Sequence, residues 1–374
     1  MREPYLSWPE AAWLTMQYTI CANYLFMPQL VYSISGRQAW AVPVVAVLPA
    51  MAGVWAVYYL HTRFPEERLG QFLPRLVGRP LSIVIGGAFI LFWLGGAVTN
   101  VTVFAHYVCD TALQFTPVTV LVAASALVIV LVSLSGLKTL VRVADALLFI
   151  VAPFLLFAQF WPFFTSRADF SNLAPVRLSE LTADKWRLAG AAAVMYHGYQ
   201  IIMVAGPALS PPGRSALKAG LAGTLAAVTA FLSFVTMPIL AFGWPYANLL
   251  TYPAASFLEV VAPKTGLFPI RRFDFVLTVL FRNIMIIAAM SYFYSASQTL
   301  SDLVSPKARR MHPWLVAGLG VAAVASSAAF KGIRTVMGFV GMWVLLGAST
   351  TALTLILAVV ALLRVGVSGK HRNG

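Results

Sequence analysis

The sequence predicts an all-α integral membrane protein: ten transmembrane helices, five plus five in an inverted repeat, with helices 1 and 6 broken. Three observations lead there. Of 374 residues, 60% are hydrophobic and 10% charged, and the mean hydropathy is +0.82. Soluble domains run about half apolar and about a quarter charged, so this composition excludes a soluble globular protein. Apolar runs longer than about 18 residues recur along the chain, and each can cross a hydrocarbon core of about 30 Å as a helix. Two of those runs, the first and the sixth, are interrupted in corresponding places.

The elements follow in order. Ser7, Trp8, Pro9 and Glu10 have the spacing of a capping box with proline in the first helical turn, which sets the start of span 1. No cleaved signal peptide is expected, because Arg2 and Glu3 offset each other and the apolar stretch continues to Met27 and Pro28 without a small-residue cleavage site. Span 1 is placed at 8–33, and the others at 39–61, 82–109, 117–136, 142–165, 187–209, 219–242, 272–299, 313–330 and 336–363. Between spans 2 and 3, Leu69, Phe72, Leu73 and Leu76 alternate with Glu66, Glu67, Arg68 and Arg75. That link reads as a short amphipathic helix lying on the membrane surface. The stretch Pro253 to Val261 is apolar but too short to span, and is expected to cap the external side. Residues 1–374 form a single transmembrane domain with a short tail at about 364–374.

The net charge is +14, from 26 Lys+Arg against 12 Asp+Glu. The basic residues sit between the apolar runs, so they read as topology signals and lipid-headgroup contacts; no nucleic-acid partner is expected. With the N-terminus inside, fifteen Lys and Arg fall on inner segments and ten on outer ones, and Arg282 lies within span 8. Both termini are therefore expected on the cytoplasmic side. Cys21 and Cys109 both lie in apolar surroundings and build no disulfide framework or metal cluster. No metal or cofactor is expected.

Span 1 holds Asn23 and Pro28 near its centre, with the break placed at Cys21, Ala22 and Asn23. Span 6 holds the run Tyr196, His197, Gly198, Tyr199 and Gln200 at mid-membrane. Irregular backbone at that depth is tolerated where it is buried or lines a cavity. A matched pair of interrupted helices points to an inverted-repeat transporter fold with the ligand between the breaks. The competing reading makes Pro28 a simple kink and turns the span 6 residues toward a neighbouring helix.

Several short motifs carry a family resemblance, in order along nearly the whole chain. They are Phe64-Pro65-Glu66-Glu67-Arg68-Leu69, the turn from Gly136-Leu137 to Arg142, Asn172-Leu173-Ala174-Pro175, Gly198-Tyr199-Gln200 with Pro207, and Phe268-Pro269 to Arg272-Phe273-Asp274. With these the chain resembles the spore germination permease family, the B subunits of endospore germinant receptors, within the amino acid–polyamine–organocation superfamily. The resemblance implies a ten-helix LeuT-like fold in the spore inner membrane and the sensing of a small nutrient such as an amino acid. It also implies assembly with a membrane A subunit and a lipoprotein C subunit. Where the family usually has glycines in the helix 1 break this chain has Cys21-Ala22-Asn23, and Gln200 stands where an acidic residue is often found.

The expected ligand site comprises Cys21, Ala22 and Asn23 of span 1, Thr99 and Asn100 of span 3, His197, Gly198 and Tyr199 of span 6, and Arg282 and Asn283 of span 8. Arg282 is about ten residues inside its span, roughly 15 Å deep, where a charge is costly and functional by default. Three roles are open to it: binding a ligand's anionic group, replacing a coupling cation, or capping loose carbonyls of the broken helix 1. His197 either binds ligand and senses pH or is a neutral ring bonded to a helix 1 carbonyl. Gly198 is expected to leave space for the ligand. Thr99 and Asn100 either reach a cavity or act as interhelical hydrogen-bond glue. His106 reads as structural, and the aromatics Tyr18, Tyr24, Phe92 and Trp93 as packing, with Tyr18 and Tyr24 flanking the break. Ser291, Ser295 and Ser297 supply oxygens suited to sodium, which Arg282 on the same helix would repel. The spans show no acidic residue at mid-membrane depth, which weakens a carboxylate proton relay. There is no paired-carboxylate site, HExxH, phosphate-binding loop or Ser/His/Asp set, so enzyme chemistry is not expected. Two functions remain: the ligand-sensing subunit of a germinant receptor, or a secondary transporter of amino acids or related solutes.

Overall fold

A computed structural model describes residues 6–24, 27–111, 113–164, 168–174, 190, 193–261, 273–305, 312–330 and 332–370. The expected outer stretches 175–185 and 262–272, the inner segment around Arg309 and the last four residues lie outside the described residues. The described chain is built of α1 (Trp8–Asn23), α2 (Met27–Ser35), α3 (Val47–Arg63), α4 (Leu69–Val77), α5 (Arg79–Thr111), α6 (Val118–Ser135), α7 (Leu137–Phe164), α8 (Pro212–Phe242), α9 (Pro253–Val261), α10 (Phe273–Val304), α11 (Pro313–Ser327) and α12 (Ile333–Lys370), with short turns between. Five stretches among the described residues are long and apolar enough to cross a membrane: Met27–Arg63, Arg79–Asp110, Val118–Ser135, Gly213–Phe242 and Arg334–Arg364.

Local chemistry sets the helix ends. The Ser7 N–H donates to Glu10 Oε2 at 2.7 Å, and Ser7 Oγ accepts from the Glu10 N–H at 3.5 Å, completing the box that starts α1. The α6–α7 corner turns on Gly136 at φ 92°, a conformation in which a Cβ would be strained.

The helices pack so that α1 lies against α8 and α10, α10 against α5 and α7, and α8 against α3. The amphipathic link forms α4 as expected, yet Leu69, Phe72, Leu73 and Leu76 are buried against α5 and α10, so its apolar face is turned into protein. Its start is pinned by Arg68, whose Nη1 lies 3.4 Å from Asp302 Oδ1 of α10. Gln298 donates to the same carboxylate at 2.9 Å, and the pair is buried. At the head of α1, the Leu6 N–H donates to the Ala208 carbonyl at 2.7 Å, tying the chain before α1 to the end of the sixth apolar run.

Candidate functional site

Both predicted interruptions are present, one of them displaced. The sixth run passes through a 3₁₀ segment, His197–Ile201, one helical turn, Ile202–Ala205, and a second 3₁₀ turn, Gly206–Ala208. Helix α1 continues through Cys21, Ala22 and Asn23, with Tyr24 as its C-cap, and α2 begins at Met27. The three residues expected to form the break are therefore its last helical turn. Asn23 shows why: its amide donates to the Thr19 carbonyl of its own helix at 3.1 Å, and also to the Met195 carbonyl of the sixth run at 3.2 Å. It fastens one interrupted element to the other, while its Oδ1 stays buried without a hydrogen bond. Cys21 is buried and unbridged.

At the centre sits His197, fully buried within a box of rings. Tyr18 of α1 meets it edge-on at 5.5 Å, Phe92 of α5 at 5.3 Å and Trp343 of α12 at 5.9 Å, while Tyr292 of α10 stacks on it at 5.4 Å. Phe92 and Trp343 stack at 5.3 Å, and Trp343 Nε1 donates to the Phe92 carbonyl at 2.9 Å. Four helices thus converge on one imidazole. Its Nδ1 bonds the Val194 carbonyl and its Nε2 the Tyr292 hydroxyl. The expected partner, a helix 1 carbonyl, is not the one it has. The Tyr18 hydroxyl faces this box buried and without a hydrogen bond. Of the flagged aromatics, Tyr18 and Phe92 enter the box, whereas Tyr24 packs on Phe234 and Trp93 on Phe89.

Gly198 is needed for a different reason from the one expected. A Cβ there would meet the Thr19 hydroxyl, the Thr15 carbonyl at 2.6 Å and the Thr19 N at 2.8 Å. The space is taken by α1 itself, so this glycine permits close approach of the two interrupted elements. Tyr199 is buried against Gly53 of α3, and Gln200 donates to the Thr350 hydroxyl of α12 at 3.3 Å.

The other predicted residues stand further off. Thr99 and Asn100 are buried on α5, seven and eight residues beyond Phe92, roughly 10–12 Å along the axis. Asn100 donates to Gly96 of its own helix at 2.9 Å, and neither residue bridges helices among the described contacts. Thr99 Oγ1 and Asn100 Oδ1 are buried without partners. Arg282 and Asn283 belong to α10, but their side chains lie outside the described residues. Ser291 and Ser295 turn back onto carbonyls of their own helix, at 3.0 and 2.9 Å. Among the described residues, no group of three or more His, Cys, Asp or Glu is placed to hold a metal ion.

Sequence reasoning missed three participants. Tyr292 and Trp343 carry no local signal, since an aromatic in an apolar helix is usually packing. The third is Asp145, a carboxylate inside a span, three residues from its expected start rather than at mid-membrane depth. It lies eight residues into α7, roughly 12 Å along the axis, and accepts from Gln17 Nε2 of α1 at 3.1 Å. Gln17 is fully buried, with its Oε1 unpartnered.

A family model described as spore germination protein matches residues 5–332. No curated protein matches the chain. Among solved structures, it is similar to Mhp1, a nucleobase-cation-symport-1 family transporter in a closed conformation with bromovinylhydantoin bound, at 11% identity and TM-score 0.70, over 95% of this chain and 78% of that one. It is also similar to MhsT in complex with L-phenylalanine, at 14% identity and TM-score 0.68, over 94% and 90%. A mutant form of the Eremococcus coleocola manganese transporter aligns at 15% identity and TM-score 0.61, over 95% and 78%. At these identities the likeness is one of fold: the all-helical, LeuT-like transporter fold that the interrupted helices predict.

Proposed function

This chain belongs to the spore germination protein family, and on that premise we propose that it is the ligand-sensing membrane subunit of a spore germinant receptor. It binds a small nutrient such as an amino acid in a transporter-like central site, in the spore inner membrane, beside A-type membrane and C-type lipoprotein partners. The observation that carries this reading is the convergence of α1, α5, α10 and α12 on His197 in the interrupted segment. A ligand biases a conformational equilibrium only through differential affinity for its states. A ring box that joins four helices is where such a bias would reach all of them. The ligand's carboxylate would lie toward the half-helix N-termini of the interrupted elements, whose free N–H groups carry partial positive charge.

In this reading Arg282 completes the anion site from α10. Arg282→Lys then keeps the charge but loses the planar fork and weakens binding, and Arg282→Met weakens it far more. A purely structural Arg282 would instead lose thermal stability in step with binding in both variants.

The second reading, a secondary transporter of amino acids or related solutes, draws on the fold shared with symporters. One experiment separates the two. The purified protein in liposomes is offered radiolabelled L-amino acids under a proton or sodium gradient. Binding without concentrative uptake is expected; gradient-driven accumulation would replace the receptor reading with the transporter one.

A further inference from the structure

Helices α1 and α7 meet along a short polar line. At its start Glu10 of α1 and Lys138 of α7 attract one another. Seven residues further along each helix, Gln17 Nε2 donates to Asp145 Oδ1 at 3.1 Å. The two helices therefore run in the same direction here, and these pairs are successive rungs about 10 Å apart by the helix rise.

The amide of the second rung is only half served. Gln17 is 0% exposed, and its Oε1 is buried without a hydrogen bond. An acceptor left bare in such surroundings bears the full cost of its desolvation. That oxygen shares a carbon with the nitrogen that Asp145 holds, so the missing donor is wanted beside the carboxyl group. An ionised carboxylate only accepts and cannot supply it, whereas a protonated one carries an O–H. A carboxylic acid and a primary amide match edge to edge, N–H to carbonyl and O–H to amide oxygen.

Asp145 itself is half-buried, so it keeps surface through which a proton arrives and leaves. Charged groups around it are few. Glu10 acts on it as a like charge, and Arg142 on its own helix is exposed. Of the other described elements packed on α7, α6 has no charged residue, and α8 has Arg214 and Lys218 near its start, with Lys218 over the Trp8 ring. Asp302 of α10 is held by Arg68. Among the described residues, none of these cations pairs with Asp145.

We propose that Asp145 and Gln17 form a proton-binding site that fastens α1 to α7. In the conformation described Asp145 is protonated: Oδ2–H donates to Gln17 Oε1 while Oδ1 accepts from Nε2. Release of the proton to water bares Oε1 again and loosens α7 from the helix that brings Tyr18 to the ring box. The site holds no nutrient ligand, so it stands or falls apart from the receptor reading.

The test follows the full chain in neutral detergent by infrared spectroscopy and thermal melting from about pH 5 to about pH 8. A carboxylic-acid C=O band should fade across this range in wild type and be missing from Asp145→Asn. Glu10→Gln, which still suits the capping box, should retain the band and so exclude Glu10 as its source. The amide introduced by Asp145→Asn can donate to Gln17 Oε1 and accept from Nε2, and so imitates the protonated form at every pH. Where the folded chain binds more protons than the unfolded one, stability falls as pH rises. The wild-type midpoint should therefore drop by about 2 °C over the range, the scale of one lost buried hydrogen bond, and Asp145→Asn should lack that drop. A band that is absent from wild type, a band that persists in Asp145→Asn, or an equal drop in both proteins would overturn the site. So would a midpoint raised by sodium at fixed pH in wild type alone, which would make the two side chains ligands of a metal cation instead.

Discussion

The Tyr292 hydroxyl is hydrogen-bonded to Nε2 of His197, 95 positions earlier in the chain. Because the Val194 carbonyl can only accept, it takes the Nδ1 proton, and Nε2 of the neutral ring accepts from the tyrosine. One bond therefore sets the tautomer of the buried histidine and joins α10 to the interrupted segment.

Tyr292→Phe keeps the ring stack and deletes that donor. The buried Nε2 is left unsatisfied, at a cost of about 1–3 kcal/mol. A lower midpoint in detergent thermal melts is expected; an unchanged midpoint would assign the hydroxyl no part in stability.

Gly198→Ala places a methyl group against the Thr15 carbonyl and the Thr19 backbone. Overpacking of this kind costs about 1–3 kcal/mol, and Gly198→Val should cost more. Were the glycine there only to leave room for a ligand, Gly198→Ala would melt like the wild type and lose binding alone.

Breaking the buried Arg68–Asp302 pair from one side, as in Asp302→Leu, leaves a buried cation and should cost about 3–5 kcal/mol. The double change Arg68→Met with Asp302→Leu should recover much of that loss. Additive losses in a double-mutant cycle would show that the two side chains are not coupled.

Cysteine labelling of intact membranes checks the orientation derived from the Lys and Arg count. Positions in the Ser166–Lys185 loop should react from outside and those near Arg309 from inside, and the reverse pattern would invert the topology.

Much of this was legible in the chain itself, because span boundaries and caps depend on local chemistry. The Ser7–Glu10 box, the amphipathic Leu69–Val77 helix and the His197–Gln200 interruption are short-range signals, and all are present. The α1 break moved toward α2 because Cys21 and Ala22 are compatible with helix and the Asn23 amide is satisfied by Thr19 within it. The ring box was half legible: His197 and Tyr18 stood out beside the breaks, whereas Phe92, Tyr292 and Trp343 become special only once three other helices are brought together. Asp145 escaped for a related reason. It sits three residues inside the expected start of its span, and its partner Gln17 is 128 positions away.

The two interrupted elements are fastened at two separated points, Asn23 to Met195 at the break and Leu6 to Ala208 at the far end. Ties at both ends of their shared length hold the two elements against pivoting independently. If ligand displaces His197, the prediction is a change at Leu6 and Leu209, which makes that end the place to attach a reporter of ligand arrival.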